Sequence, residues 1–134
     1  MKPFALESGM LTMGGVFYPT GYMFIMFPSK DAALKAEQSL LDGGLSGETI
    51  SLVTPEIIQE KIAHTVGTAD IPLPSAGTEA DTVRRYAELA GQGHHALMVK
   101  APDAADSDKV MELLKDSGMS YGQKYRQLVI EDLT

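Results

Sequence analysis

Two adjacent histidines, His94 and His95, stand immediately before the apolar run "ALMV". Histidine changes charge near neutral pH, so the pair is a candidate metal site, a candidate catalytic base or a polar strand end. Neighbouring residues of a strand point to opposite faces of a sheet, so two such imidazoles cannot readily hold one ion. The third histidine, His64, belongs to a different predicted helix, and the chain has no cysteine. The sequence therefore predicts no metal site and no cofactor. One imidazole is expected to form a hydrogen bond at the strand end, and the other to face solvent, a partner or a pocket.

The segment "SYGQKYRQ", residues 120–127, brings tyrosine rings and basic side chains into a short span. Lys124, together with Arg84, Arg85 or a histidine, could hold a carboxylate or phosphate group, because hydrogen bonds from cations to such anions are strong. The alternative is that the tyrosine rings cover the end of the sheet while the cations are only solvated. No catalytic residue is assigned. The predicted ligand-binding residues are His94, His95, Tyr121, Lys124, Arg84 and Arg85.

Length and composition are those of one soluble globular domain. The chain has 134 residues, of which 44% are hydrophobic and 22% charged, so one core can form without disulfides. The formal net charge of −7 argues against DNA binding, although seven of the eleven lysines and arginines fall within residues 84–126. No stretch approaches the length of a transmembrane helix, and residues 1–20 make a poor signal peptide. We therefore expect a cytoplasmic protein that does not bind a membrane.

Turn residues and helix caps divide the chain into an N-terminal arm, residues 1–20, and a single domain, residues 21–134. Residues 120–125 are interpreted as a turn or extended lead-in to the last strand. The predicted strands are residues 21–27, 47–55, 95–101 and 126–133, and the predicted helices are capped by Ser29, Thr54, Thr78 and Asp103.

The order of these elements predicts an α+β fold, β-α-β-(α-α)-β-α-β. Without the two-helix insertion between strands 2 and 3, residues 55–91, this is the ferredoxin-like sandwich. In that topology the first and third strands form the central pair, and residues 21–27 and 95–101 are the two most apolar runs. An open α/β sheet with more parallel pairing is the alternative, because a helix follows every strand except the last.

The two central strands are apolar on both sides, which predicts a sheet covered on both faces. Two helices account for one face. The inserted helix pair, the N-terminal arm or a second subunit must cover the other, because a large exposed apolar face would itself be an interaction site. We therefore expect a homodimer or a higher homo-oligomer.

Two stretches resemble bacterial general stress proteins of the heat-induced type: "MFIMFPSKDAALKAEQSLLDGG" and "ALMVKAPDAADSDKVMELLKDSGM". Nearly the whole chain resembles a group of proteobacterial proteins of unassigned role through "VFYPTGY", "LPSAGTEADTVRRY", "QGHHALMV" and "SYGQKY". These resemblances imply a ferredoxin-like fold and a stress-linked role, and neither implies an enzyme.

Three functions are compatible with these residues. The first is a non-enzymatic module that binds a small ligand, for which an anion is one candidate, or another protein. The second is a dimeric α+β enzyme using His95, Tyr121 and Lys124 on a small anionic substrate. The third, RNA binding through the sheet, needs aromatic residues on a basic sheet face and ranks last, because the third strand offers only "HALMVK".

Overall fold

The structure, a computed structural model, describes residues 2–3, 19–63, 77–125 and 130–132. Within these residues no helix combines the length and the apolar character that crossing a bilayer would need. The helices are α1 (Lys30–Asp42), α2 (Pro55–Ile57) with a π-helical continuation (Ile58–Ile62), α3 (Gly77–Gly91) and α4 (Ala104–Leu114). The strands are β1 (Lys2–Pro3), β2 (Tyr22–Phe27), β3 (Ile50–Val53), β4 (His95–Lys100), β5 (Tyr121–Tyr125) and β6 (Ile130–Asp132).

Three of the predicted helix caps are confirmed. The hydroxyl of Ser29 accepts from the Ala32 N–H at 3.1 Å, that of Thr54 accepts from the Ile57 N–H at 3.3 Å, and the carboxylate of Asp103 accepts from the Asp106 N–H at 3.0 Å. Each bond satisfies an N–H of the first turn that has no partner within the helix. Short-range chemistry therefore places the starts of α1, α2 and α4 where the sequence predicts them.

The strands form one six-stranded sheet in the order β1-β3-β4-β2-β5-β6. The four neighbours β3, β4, β2 and β5 are antiparallel, so the fold class is α+β. The central positions of β2 and β4 are confirmed, since each is hydrogen-bonded to a strand on both sides. Every residue from Met23 to Phe27 is completely buried.

Both faces of the sheet are covered by helices of the same chain. On one face Leu40 of α1 and Val110 of α4 pack against Ile25 and Leu97. On the other, the inserted helices bury Ile58 and Tyr86 against the sheet. Of the three expected covers, the insertion therefore occupies the second face. The face no longer requires a partner subunit, and the homo-oligomer stays a prediction.

The prediction for the last strand is confirmed only in part, because β6 lies within residues 126–133 but does not pair with β2. The strand beside β2 is β5, with Tyr121 opposite Met26 and Lys124 opposite Met23, and it occupies the segment interpreted as a turn or extended lead-in. The polar residues Gln123 and Lys124 concealed it, because they are almost fully buried where an apolar pattern would be expected. Within the predicted strand the structure describes only β6, which lies outside β5.

The ends of the chain extend the sheet beyond the four core strands. Residues Lys2–Pro3 pair in parallel with Ser51 and Leu52 of β3, so the predicted arm contributes a short edge strand. The rest of that arm before Pro19 lies outside the described residues. So does the chain between the inserted helices, residues 64–76, which contains His64.

Candidate functional site

Three core strands meet at one end of the sheet. There β2 ends, while its antiparallel neighbours β4 and β5 begin, so His95 lies opposite Phe27 and Tyr121 opposite Met26. Helix α3 reaches the same end through a short turn in which Gly93 has a φ of +89°. Four residues with polar groups gather here, and we call them the polar rim: Arg85, His94, Ser120 and Tyr121.

The imidazole of His94 is held in place by Ser120. Its Nδ1 lies 2.7 Å from the Ser120 hydroxyl, although the two residues are 26 positions apart in the chain. The backbones are fixed as well, since the His94 N–H donates to the Leu89 carbonyl and the Ser120 N–H to the Met26 carbonyl. Because this contact engages Nδ1, the opposite ring nitrogen, Nε2, is the one left to meet a ligand.

Arg85 lies over the ring of Tyr121. The guanidinium carbon is 5.9 Å from the ring centroid, which is a cation–π distance. Its Nη1 also donates to the Glu88 carboxylate at 2.7 Å, in an ion pair whose two side chains are about half exposed. Tyr121 in turn packs edge-on against the buried ring of Tyr86, with centroids 5.8 Å apart. The core therefore supports the ring beneath the arginine, while the charged group stays at the surface.

The surroundings of His94 favour its neutral form. Partial burial lowers the pKa of the imidazole from the usual 6.5, and the positive charge of Arg85 lowers it further. At neutral pH the side chain is therefore an uncharged hydrogen-bonding group beside a permanent cation. Because the unfolded chain accepts this proton more readily, the protein loses stability as the pH falls below about 6.5.

Removing the arginine tests this coupling. In Arg85→Ala the pKa of His94 is expected to rise but to stay below 6.5, because burial, the larger cause, remains. NMR titration of the imidazole protons measures it. Arg84→Ala is the matched control, since Arg84 is held by Asp81 at 2.9 Å and is not among the causes of the shift. An unchanged pKa in Arg85→Ala, or an equal rise in both variants, would contradict the assigned coupling.

Of the six predicted ligand-binding residues, the structure brings Arg85, His94 and Tyr121 together. Arg84 pairs with Asp81 instead. The Nδ1 of His95 lies 3.1 Å from the Gly93 carbonyl, and its strand position shares the face of Leu97 rather than that of Met98.

Lys124 does not join the polar rim. It belongs to the sheet face opposite Tyr121, because positions 121 and 124 differ by an odd number along β5. Its Nζ donates to the Ser107 hydroxyl of α4 at 2.6 Å, and both residues are 5% exposed. The predicted anion site built on Lys124 with Arg84 or Arg85 is therefore not assembled as expected, because this lysine is enclosed beneath α4.

Two partners were not predicted from the sequence. Ser120 holds the imidazole of His94, and Glu88 holds the guanidinium of Arg85. Ser120 adjoins Tyr121 in "SYGQKY". Glu88 follows Arg85 by one helical turn, and this spacing of opposite charges could have predicted their ion pair. Nothing local points to the pairing of Ser120 with His94. Among the described residues, no three histidine, aspartate or glutamate side chains are placed to hold a metal ion.

Comparison of the chain with protein-family models, with curated proteins and with solved structures gives no match. The function is therefore inferred from the geometry of the polar rim.

Proposed function

We propose that this protein binds a small anionic molecule at the polar rim and is not itself an enzyme. The observation that carries the proposal is the fixed placement of an uncharged imidazole, held at Nδ1 by Ser120, beside the guanidinium of Arg85. A guanidinium offers paired N–H donors that match the two oxygens of a carboxylate or phosphate. The Nε2 of His94 would supply a third hydrogen bond and so select the orientation of the ligand.

Glu88 sets the conditions for binding. Its carboxylate occupies Arg85 Nη1 at 2.7 Å, so an incoming carboxylate or phosphate competes with an internal anion. Because that ion pair is about half exposed, it contributes little stability and can be exchanged. We expect weak binding of a simple anion and tighter binding of a molecule that also covers the Tyr121 ring.

A ferredoxin-like assignment of the domain is part of this proposal. The core strands β2, β3, β4 and β5 occur in the spatial order β5-β2-β4-β3, with α1 and α4 together on one face. That order supports a split βαβ core whose second face carries the insertion. The stress-linked role and the cytoplasmic location stay proposals that depend on the sequence resemblance and composition.

The binding proposal is tested by titrating succinate into ¹⁵N-labelled protein at constant ionic strength. The amide signals of His94, Ser120 and Tyr121 are expected to shift together, and the dissociation constant to rise about tenfold or more in Arg85→Ala. Arg84→Ala is the matched control because it removes the neighbouring cation from the same helix. Unchanged affinity in Arg85→Ala, or equal loss in both variants, would overturn the proposal.

A second candidate function is favoured by one observation. A neutral imidazole oriented by Ser120 and adjoining a cation is the arrangement of a general base that acts on an anionic substrate. If the protein is such an enzyme, His94→Gln would abolish substrate turnover while succinate still binds. If it is a binding protein, the same variant would lower only the affinity for succinate. The aromatic residues Phe24 and Tyr125 of the sheet are buried under α3, so they offer no support for RNA binding.

A further inference from the structure

A concave feature lies at the end of the sheet opposite the polar rim, where β4 ends. It is a groove of about 410 Å³ between α4 and the turn that follows α1. This volume is within the range of small-molecule sites. We call it the lysine groove; the lining residues that matter here are Gly44, Ser46, Thr49, Lys100, Asp106 and Lys109.

The lysine groove is positively charged although the protein carries a net charge of −7. Lys100 and Lys109 line it together with one acidic residue, Asp106. Neither lysine forms an ion pair within the part of the chain that the structure describes. Two lysine side chains that have no ion-pair partner and line one cavity attract an anion from solution.

The neighbouring groove between α1 and α4 has the opposite charge balance, with more acidic than basic side chains. It is lined by Lys35 and Lys115 but also by Asp31, Glu112 and Asp116. There the Lys115 ammonium is already bound by Glu112 at 3.1 Å. Because that groove also contains lysines but carries excess negative charge, a lysine substitution there is a matched control for substitutions in the lysine groove.

Lys109 lies against the turn that follows α1. Its Nζ lies 3.6 Å from the place that a Cβ would take on Gly44, a residue whose φ is +100°. The last turn of α1 contains no basic residue, and the Lys109 ammonium lies beside the carboxyl end of that helix, where a positive charge is favoured.

Hydroxyl groups complete the wall of the lysine groove. Ser46 Oγ accepts from the Glu48 N–H at 3.3 Å, and its own hydrogen remains available to donate. Thr49 Oγ1 already donates to the Ser46 carbonyl at 2.7 Å, which fixes the shape of the turn. The groove therefore combines lysine ammonium groups with a hydroxyl donor on an ordered turn.

We propose that the lysine groove is a binding site for the phosphate group of a small phosphorylated molecule. Lysine ammonium groups are compact charges that bind tetrahedral oxyanions without the paired geometry that a carboxylate takes from arginine. Asp106 lies at the same groove and would accept a hydroxyl of the ligand while repelling a second anionic group. This site is separate from the polar rim and does not depend on the function proposed there.

The test is a titration of ¹⁵N-labelled protein with inorganic phosphate at constant ionic strength, with acetate in a parallel arm. The amides of Gly44, Ser46 and Lys109 are expected to shift together with phosphate. The dissociation constant should rise about tenfold in Lys109→Ala and also rise in Lys100→Ala, while Lys115→Ala leaves it unchanged. Acetate should cause smaller shifts at the same concentrations.

Several outcomes would overturn the assignment. These are shifts spread over all lysine-containing surfaces, affinity that survives in Lys109→Ala, equal loss in Lys115→Ala, or acetate binding as tight as that of phosphate. Urea unfolding of Lys109→Ala separates binding from helix capping. A folded variant that has lost only phosphate binding supports the site, and a variant that loses stability but binds as before shows that Lys109 serves α1 alone.

Discussion

Replacing Tyr86 by alanine is expected to lower the free energy of unfolding by about 3–5 kcal/mol. The ring is completely buried at the centre of the second face, 4.2 Å from the ring of Phe24 and 5.8 Å from that of Tyr121, measured between centroids. Its removal leaves a cavity between the sheet and α3 that the rigid strands cannot close. The loss is a large part of the roughly 5–15 kcal/mol that stabilises a typical domain.

Tyr86→Phe separates the ring from its hydroxyl. The Tyr86 and Tyr125 hydroxyls are 2.7 Å apart in the core, and burial, followed by the neighbouring Tyr125, raises the pKa of Tyr86 well above its usual value. The phenol is therefore protonated and able to donate at all physiological pH values. We expect Tyr86→Phe to cost about 1 kcal/mol, measured like Tyr86→Ala by urea unfolding. A loss below about 1 kcal/mol in Tyr86→Ala would show that α3 is not docked on the sheet as described.

Replacing Ser107 by alanine is expected to destabilise the protein by about 2–3 kcal/mol, which is large for the loss of one hydroxyl. Ser107 Oγ accepts from Lys124 Nζ at 2.6 Å and donates to the Ala104 carbonyl at 3.1 Å. With both residues only 5% exposed, the variant leaves the lysine Nζ enclosed without this acceptor. A buried donor that loses its partner costs more than the hydrogen bond contributes when it is present.

The partner substitution gives an asymmetric result. Lys124→Met keeps most of the side-chain volume and removes the buried donor, so we expect it to cost less than about 1 kcal/mol. The double variant should be close to Lys124→Met in stability, because most of the cost of Ser107→Ala comes from leaving the lysine without its acceptor. Urea unfolding of the four proteins gives the coupling energy. Additive effects of the two substitutions would show that Lys124 and Ser107 do not interact.

Tyr86 and Ser107 contact side chains of β5 from opposite faces of the sheet. Tyr86 supports Tyr121 from below, while Lys124 and Ser107 attach β5 to α4 on the opposite face. Tyr86→Ala should therefore weaken succinate binding as well as stability, whereas Lys124→Met should leave succinate binding unchanged. If succinate binding weakens only in Tyr86→Ala, the site depends on the Tyr86 ring that supports Tyr121. If it weakens in both variants, the site depends on the position of β5 as a whole.

The elements predicted correctly from the sequence are those specified by neighbouring residues. Ser29, Thr54 and Asp103 each accept from an N–H three residues further on, so the caps of α1, α2 and α4 are local. The central position of β2 was predictable because apolar residues on both faces exclude a strand that borders water on either side.

The location of β5 could not be predicted from hydrophobic pattern. Its burial of Gln123 and Lys124 depends on partners elsewhere in the fold, and for Lys124 the partner is Ser107, 17 residues away in the chain. A strand would place Tyr121 and Lys124 on opposite faces, but that rule could be applied only once the segment was known to be a strand. The error in β5 therefore carried over to the predicted grouping of ligand-binding residues.

By itself the sequence determined the α+β class, the starts of α1, α2 and α4 and the two central strands, because periodicity and capping act over a few residues. Only the tertiary structure decided which partner each candidate binding residue contacts. It brought His94 to Ser120 across 26 positions, set Arg85 over Tyr121, and enclosed Lys124 beneath α4. It also decided that the inserted helices cover the second sheet face. These choices depend on how packed elements share surfaces and satisfy buried polar groups, which no short stretch of sequence specifies.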